Sequence, residues 1–322
     1  MHTIFKGFLM ILLSFPIAGW GQGFPSKPIR LVVLFAAGGP SDIVARLLAG
    51  KLGEVMGNTM IVDNRIGANG IVGTEYVTKS APDGYTMMIA SASSLAMNYA
   101  TVSKLPYDTR RDLSCISLVS QTPELLVVHP SNSAKTLKEF IANAQARPGQ
   151  SFASTSAGSM PHLALELFKI AAKVDLVHVP YNGAAPAVTA MLGGEQAVGL
   201  IVDLPVVHPH LISGKLRALA IASPGRSPQF PNVPTMGEQG LPSVEAVNWS
   251  GTFVPSRTPA DTLRKLQDGV VKALNDPALK EKLVANGADP IPSTSQQCTT
   301  FIEGELGKWG KIAKDARVSM DQ

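Results

Sequence analysis

Three short segments combine glycine, serine and threonine in an order that suits the binding of a small anion. They read FAAGGPSD, IASASS and ASTSAGSMPH, and each follows an apolar run and precedes a helical pattern. Small residues allow a ligand to reach main-chain N–H groups at a helix N-terminus, which carry a partial positive charge. Serine hydroxyls add further hydrogen-bond donors. The three segments therefore predict an anion site, with the turn at Gly38 and Gly39 as its first element.

Ser159 and His162 are three residues apart at the start of a predicted helix, so their side chains could share one face. This spacing raises the hypothesis of a serine hydrolase in which His162 is the base. We favour the interpretation of Ser159 as a helix cap, because the sequence has no G-x-S-x-G elbow. Pro209 separates His208 from His210, and no cluster of acids or cysteines is nearby, so we expect neither a metal site nor a cofactor.

Two further polar residues end predicted strands. Asp203 ends the segment AVGLIVD, where its carboxylate could cap the next helix or accept a hydrogen bond from a ligand amine or hydroxyl. Tyr181 ends LVHVPY and could line a cleft with its aromatic ring or pack at a loop edge. In an open α/β sheet the ligand crevice lies beyond the carboxyl ends of the strands, so both residues are candidates for the same site.

Strand-like and helix-like segments alternate along almost the whole chain, which indicates an α/β fold of mostly parallel sheets covered by helices. The proline-rich stretch PGRSPQFPNVPT marks a boundary near the end of this alternation. The block after it holds one strand and several helices, too little for a domain, so we expect it to return to the first block. This arrangement predicts one lobe from residues 24–122 and 225–322 and a second lobe from residues 123–224.

The N-terminal segment MHTIFKGFLMILLSFPIAGWGQG is typical of a secretory signal peptide covering residues 1–23. It has an early Lys6, an apolar run from Phe8 to Ile17 and a small-residue exit, and cleavage is expected between Gly19 and Gly23. The run is too short to cross a bilayer core of about 30 Å. We therefore predict a soluble protein of the periplasm, with an uncleaved membrane anchor as the alternative.

Composition limits the possible partners and the redox chemistry. The chain carries 28 Lys and Arg against 24 Asp and Glu, for a net charge of +4, and has no basic run, so nucleic acid is not an expected partner. Cys115 and Cys298 lie far apart and fit no metal or redox spacing. In an exported protein they could form a disulfide or remain as two buried free thiols.

Long stretches of the chain are similar to one family in the same order, among them PIRLVVLFAAGGPSDIVARLLAGKL, VDNRIGANGIVGTEYVTKSAPDGYT, ASTSAGSMPHLALELFK and VHVPYNGAAPAVTAMLGG. The chain resembles the Bug-type family, the extracytoplasmic receptors of tripartite tricarboxylate transporters. The resemblance implies a two-lobed, type II-like periplasmic-binding-protein fold that holds a small organic acid without catalysis and delivers it to the membrane subunits of the transporter. The acid could be a dicarboxylate, a tricarboxylate, an amino acid or an aromatic carboxylate. A periplasmic sensor that binds the same ligand is the alternative. We expect the protein to be a monomer.

The resemblance also implies which residues bind the ligand. They lie in two loops of the first lobe, in the loop before a helix of the second lobe, and at the ends of two strands. The implied ligand contacts are Phe35, Ala37, Gly38, Gly39, Ser41, Asp42, Ser91, Ser93, Thr155, Ser156, Ser159, His162, Tyr181 and Asp203.

Overall fold

Short apolar runs form the strands of this protein, which the computed structural model describes over residues 23–181, 183–194 and 197–321. The predicted signal peptide lies outside these residues, apart from Gly23. The strands are β1 (Ile29–Val33), β2 (Met60–Asn64), β3 (Thr86–Ser91), β4 (Leu113–Val128), β5 (Gln150–Ser154), β6 (Leu176–Pro180), β7 (Leu200–Asp203), β8 (Arg217–Ile221), β9 (Val247–Pro255) and β10 (Asp289–Pro290).

The helices occupy the segments between the strands. They are α1 (Pro40–Met56), α2 (Ile71–Thr78), α3 (Asn98–Thr101), α4 (Thr109–Asp112), α5 (Leu137–Ala146), α6 (Met160–Ala172), α7 (Ala184–Leu192), α8 (Leu204–Ile212), α9 (Ala260–Leu274), α10 (Pro277–Ala285) and α11 (Ser295–Asp315). Several begin at a capping side chain. In α5, for example, the Thr136 hydroxyl accepts a hydrogen bond from the Glu139 N–H at 3.2 Å.

The strands pair in two groups that share β4. The first group runs β2-β1-β3-β9-β4, and the second runs β4-β7-β5-β6, with β8 and β10 also paired to β4. Strand β1 is parallel to β2 and β3, and β5 is parallel to β6 and β7. Strands β4 and β9 run antiparallel to their neighbours. The α/β prediction is confirmed, and the sheets are mixed rather than mostly parallel because β4 and β9 join the parallel sets.

Strand β4 is the longest of the strands named above and runs from Leu113 to Val128. Its first half is rich in serine, and serine hydroxyls of this stretch are paired inside the fold. The Ser120 and Ser250 hydroxyls lie 2.8 Å apart, and Ser117 accepts a hydrogen bond from the Ser293 N–H at 3.0 Å. Buried polar side chains are tolerated when they find partners, so the strand continues through this stretch.

Helix α11 is fixed to β4 by a disulfide between Cys115 and Cys298, whose Cα atoms are 6.1 Å apart. The structure therefore forms the bridge rather than two free thiols. Glu305 of α11 accepts hydrogen bonds from the indole N–H groups of Trp249 and Trp309, at 2.9 and 2.8 Å. Among the described residues, no helix is long and apolar enough to span a bilayer.

Candidate ligand-binding site

The turn between β1 and α1 is the first element of the site. Gly38 has a φ of +79°, a left-handed conformation that glycine adopts without strain. Helix α1 starts at Pro40, and its N-cap residue, Gly39, offers no side-chain acceptor. The first N–H groups of a helix have no partner within the helix. The N–H groups of Ser41 and Asp42 are therefore suited to an acceptor supplied by a ligand.

The carboxylate of Asp42 holds this turn in shape. It is 2% exposed and accepts hydrogen bonds from the Gly38 N–H at 2.8 Å, from Arg46 Nε at 2.8 Å and from Asn64 Nδ2 at 2.9 Å. Burial alone would raise the pKa of Asp42, but these hydrogen bonds lower it below its ordinary value. The Asp42 carboxylate and the Gly38 N–H thus bind each other within the turn.

The other residues of this loop lie nearer the surface. Ala37 is exposed, and Phe35 and Ser41 are half-buried. The Gly39 N–H donates to the Ala36 carbonyl at 3.2 Å, so this amide also has a partner inside the turn. The N–H groups of this loop that remain for an anion are therefore those at the start of α1 and not those of the two glycines.

The second loop follows β3 and is held by side chains that the sequence did not single out. The Ser94 hydroxyl bonds both the N–H and the carbonyl of Ser91, each at 3.0 Å. Asn98 Nδ2 donates to the Ser94 carbonyl at 3.0 Å, and Asn69 Nδ2 donates to the Ser93 carbonyl at 3.2 Å. Ser91 is buried and Ser93 is half-buried. These contacts fix the main chain on both sides of Ser93.

The third loop joins β5 to α6, and Ser159 is the N-cap of that helix. Its hydroxyl donates to the Ser156 carbonyl at 2.7 Å and accepts from the His162 N–H at 3.4 Å. Thr155 Oγ1 donates to the same hydroxyl at 3.3 Å. The interpretation of Ser159 as a helix cap is confirmed. Ser156 is half-buried, and Thr155 and Ser159 are buried beneath it.

The ring of His162 is committed to another group of the same loop. Its Nδ1 accepts a hydrogen bond from the Gly158 N–H at 3.0 Å, while the Ser159 hydroxyl donates to Ser156. A nucleophile and its base must share a hydrogen bond, and these two side chains do not share one in the described structure. The serine hydrolase hypothesis for Ser159 and His162 therefore has no geometric support.

His162 instead stacks on His178, with ring centroids 3.7 Å apart and planes 10° from parallel. The sequence did not predict this pair. His178 Nε2 lies 2.6 Å from the Ser154 hydroxyl. Burial, helped by the charges of His178 and Lys169, lowers the pKa of His162 to about 3, and burial with Lys169 lowers the pKa of His178 to about 4. The pair is therefore neutral near pH 7. It contacts the third loop through the hydrogen bonds of His162 with Gly158 and of His178 with Ser154.

Tyr181 and Asp203 end neighbouring parts of the second sheet. The Tyr181 N–H donates to the Ser154 carbonyl at 3.0 Å, and its half-buried side chain packs on the apolar core. Asp203 ends β7 and is partly exposed, and its Oδ1 accepts from Asn248 Nδ2 at 2.9 Å. Its side chain does not cap α8 in this structure. Asn248 and the buried Glu124 beside Asp203 were not predicted as part of this region.

The parallel strands bring these loops to common sheet edges. In the first group Val33 of β1 lies opposite Ile89 of β3, so the first and second loops leave the sheet side by side. In the second group Ala153 of β5 lies opposite both Leu200 of β7 and Val179 of β6. The third loop, Tyr181 and Asp203 therefore leave that group in the same direction.

One contact joins the two sets of loops directly. The N–H of Met160, the first residue of α6, donates to the Ser93 hydroxyl at 3.4 Å. A second contact comes from the end of the described chain, where the Met320 side chain packs against Gly158 so closely that a Cβ at this position would overlap it. The Met320 N–H also donates to the Thr101 carbonyl at 2.8 Å. Neither contact could be predicted from the sequence, because the paired residues are far apart along the chain.

Comparison with known proteins places this arrangement in a family. The sequence profile of the tripartite tricarboxylate transporter family receptor, TctC, matches residues 44–318. The protein BugT of Bordetella pertussis (strain Tohama I) is 38% identical over 294 residues, which cover 91% of this chain and 90% of BugT.

Solved structures agree with that assignment. The structure of R. palustris Rpa4515 with adipate is 33% identical, has a TM-score of 0.85, and the match covers 92% of this chain and 99% of that one. MatC from Rhodopseudomonas palustris with bound malate is 29% identical with a TM-score of 0.80, over 90% of this chain and 99% of MatC. Both the fold and the sequence thus lead to one conclusion. The chain belongs to the TctC family and is a Bug-type solute-binding receptor of tripartite tricarboxylate transporters.

Proposed function

We propose that this receptor works in the periplasm, where it captures a small dicarboxylate between two lobes and passes it to the membrane subunits of its transporter without catalysing a reaction. The observation that carries this proposal is the contact at 3.4 Å between Ser93, after β3, and the Met160 N–H, at the start of α6. The adipate in Rpa4515 and the malate in MatC support a dicarboxylate as the ligand class.

The proposed ligand contacts follow from the donors that the loops leave for an anion. One ligand carboxylate accepts from the N–H groups of Ser41 and Asp42 at the start of α1. A carboxylate also accepts from the Ser93 hydroxyl, whose oxygen accepts from the Met160 N–H and whose own O–H is left for the ligand. Hydrogen bonds to a charged acceptor are stronger than those between neutral groups, so a few such donors suffice to hold a small dianion.

The proposed lobes are residues 24–122 with 225–322, and residues 123–224. The chain passes between them along β4 and again between β8 and β9. Closure of the lobes excludes water from the ligand and strengthens each hydrogen bond to it. Since a ligand that bridges both lobes binds the closed state more tightly, it also shifts the population toward that state.

A thermal-shift and calorimetric screen tests this function. The mature protein, stripped of ligand by unfolding and refolding, is titrated with dicarboxylates of increasing length and with their neutral diamides. A ligand at 100 times its Kd stabilises the folded state by about 2.7 kcal/mol, which gives a clear rise in Tm. We expect at least one dicarboxylate to raise Tm while its diamide does not. A panel in which diamides bind and every acid fails would contradict the proposal.

The turn at Gly38 provides a matched pair of variants for the same screen. Gly38→Ala strains a left-handed residue, whereas Gly50→Ala in the middle of α1 meets open space and ordinary helical geometry. We expect Gly38→Ala to weaken ligand binding at least fivefold and Gly50→Ala to leave it unchanged. In vesicles that carry the membrane subunits, ligand uptake should require the receptor. Uptake that is independent of it would favour the sensor alternative.

A further inference from the structure

The residues that follow α11 return to the junction between the two proposed lobes. Helix α11 packs against α3 and the segment Ser93–Met97 of the first lobe and against α6 of the second. Beyond the helix, Arg317 takes a left-handed φ of +55°. The Val318 N–H donates to the Ala313 carbonyl at 2.9 Å, which fixes this turn. Residues 316–321, the tail segment, are thereby directed toward the end of α3.

The tail segment is anchored to the first proposed lobe by two hydrogen bonds. The Met320 N–H donates to the Thr101 carbonyl at 2.8 Å. The Asp321 carboxylate accepts from the Ser103 N–H at 2.9 Å. Thr101 is 3% exposed, and its hydroxyl donates to the Met97 carbonyl at 2.8 Å, so the anchor point is itself fixed. The tail segment would therefore stay with the first lobe when the lobes separate.

The Met320 side chain reaches the second proposed lobe at Gly158, in the loop before α6. Gly158 is buried with a φ of +66°, and a Cβ at this position would overlap the Cγ and Sδ atoms of Met320. The same Cβ would lie 3.3 Å from Thr101 Oγ1. The Gly158 N–H donates to His162 Nδ1 at 3.0 Å, which holds the glycine in its own loop. Met320 is thus packed between a residue of each lobe, in a space that exists because residue 158 has no side chain.

Separation of the lobes breaks the contact between Met320 and Gly158. The Met320 side chain is half-buried, and movement of Gly158 away from it would expose further apolar surface to water, which is unfavourable. The hydrogen bond between the Met160 N–H and the Ser93 hydroxyl would be lost in the same movement. Contacts that exist only in the closed arrangement stabilise it relative to the open one.

We propose that the tail segment is a latch that favours the closed lobes, with Met320 as its positioning residue. The inference rests on the proposed function, because it concerns closure of the same site over its ligand. The apparent Kd equals the intrinsic Kd divided by the population of the binding-competent state, so the loss of a latch contact weakens binding without any change in the ligand contacts. The weaker binding should appear as faster dissociation, because the closed complex opens more readily.

Small-angle X-ray scattering of the ligand-free mature protein tests the latch directly, because its contacts involve protein groups alone. We expect Met320→Ala to have a larger radius of gyration than wild type. Met56→Ala is the matched control, since it shortens a half-buried methionine that packs within the core of the first lobe. Scattering curves that are the same for Met320→Ala and wild type overturn the inference.

Calorimetry and stopped-flow kinetics with adipate and L-malate measure the effect on binding. Met320→Ala should raise the Kd and the dissociation rate of a bound acid at least fivefold, while Met56→Ala should leave both within twofold of wild type. Met320→Leu keeps an apolar side chain in the same space and should also stay within twofold. A purely structural role of Met320 would lower Tm and leave the Kd unchanged, which would overturn the inference. An equal loss of affinity in Met320→Leu and Met320→Ala would do the same.

The two measurements separate the latch from the proposed function. If an acid binds wild type and Met320→Ala with equal Kd, the latch is overturned and the proposed function stands. If neither acid binds wild type but Met320→Ala still has the larger radius of gyration, the latch stands and the proposed function loses support.

Discussion

The main-chain N–H of Met160 lies 3.4 Å from the side-chain oxygen of Ser93, and this hydrogen bond connects the start of α6 to the loop after β3. Met160 is the first residue of α6, where a helix has no internal acceptor to offer its N–H. The next residue, Pro161, has no N–H at all. The Ser93 hydroxyl therefore supplies the acceptor that the Met160 N–H lacks within its own helix.

Ser93→Ala should weaken ligand binding about fivefold, since one neutral hydrogen bond contributes about 1 kcal/mol. The loss is expected in Kd and not in Tm, because the hydroxyl serves the contact between the loops and not the core of either group. Ser80→Ala is the matched control, as its hydroxyl donates to the Tyr76 carbonyl within its own turn. Calorimetry on both variants checks this prediction, and equal Kd values for Ser93→Ala and wild type would contradict it.

Asp42→Asn should lower both stability and affinity. The substitution removes the charge that accepts from Gly38, Arg46 and Asn64, and charge-assisted hydrogen bonds are each worth about 1.5–3 kcal/mol. We expect a loss of about 2 kcal/mol in the free energy of unfolding, measured by urea denaturation, and a Kd at least tenfold higher. Asp268→Asn, at an exposed position of α9, is the control. Wild-type affinity in Asp42→Asn would show that ligand binding does not depend on the hydrogen bonds of the Asp42 carboxylate.

The stacked histidines should make the protein less stable in acid. The pKa values of His162 and His178, at about 3 and about 4, lie below the ordinary value of 6.5. As the pH falls below about 6.5, the unfolded chain binds protons before the folded chain does, so stability is lost between about pH 6.5 and about pH 3. His178→Phe keeps a ring for stacking but cannot titrate, and it should reduce this loss of Tm. His210→Gln is the control, and an identical pH profile for His178→Phe and wild type would refute the assignment.

Reduction of the disulfide should destabilise the protein by about 2–4 kcal/mol, because the bridge closes a loop across 183 residues and limits the freedom of the unfolded chain. Urea denaturation with and without a phosphine reductant measures the difference. The double variant with Cys115→Ala and Cys298→Ala should show the lower stability and no response to reductant. If wild type also ignores the reductant while its thiols become titratable, the bridge contributes nothing to stability.

The order of strands and helices follows from local patterns, and so it could be predicted from the sequence. Continuous apolar runs and capping residues such as Thr136 and Ser159 depend only on near neighbours. The serine-rich first half of β4 carries no such local pattern, because its hydroxyls find partners far along the chain. Ser120, for example, pairs with Ser250, and no local pattern carries that information.

The candidate site divides in the same way. The loops at the strand ends could be predicted, because small and hydroxylated residues there follow a local pattern. The roles inside the loops could not, since Asp42 acts through Asn64 and His162 stacks on His178. Glu124 stands at the start of an apolar run in the sequence, and only the pairing of β4 with β7 brings it beside Asp203.

Strand β4 has a consequence for the order in which the chain can fold. Its first half pairs with β9, which is made only after the whole second group of strands, and its second half pairs with β7 and β8. Contacts between distant segments form slowly because the entropy of the intervening loop must be lost first. The first group of strands is therefore completed only when β9 pairs with β4, across the chain segment that forms the second group. The second group is contiguous in the chain, whereas the first is not, so we expect the first group to be completed after the second.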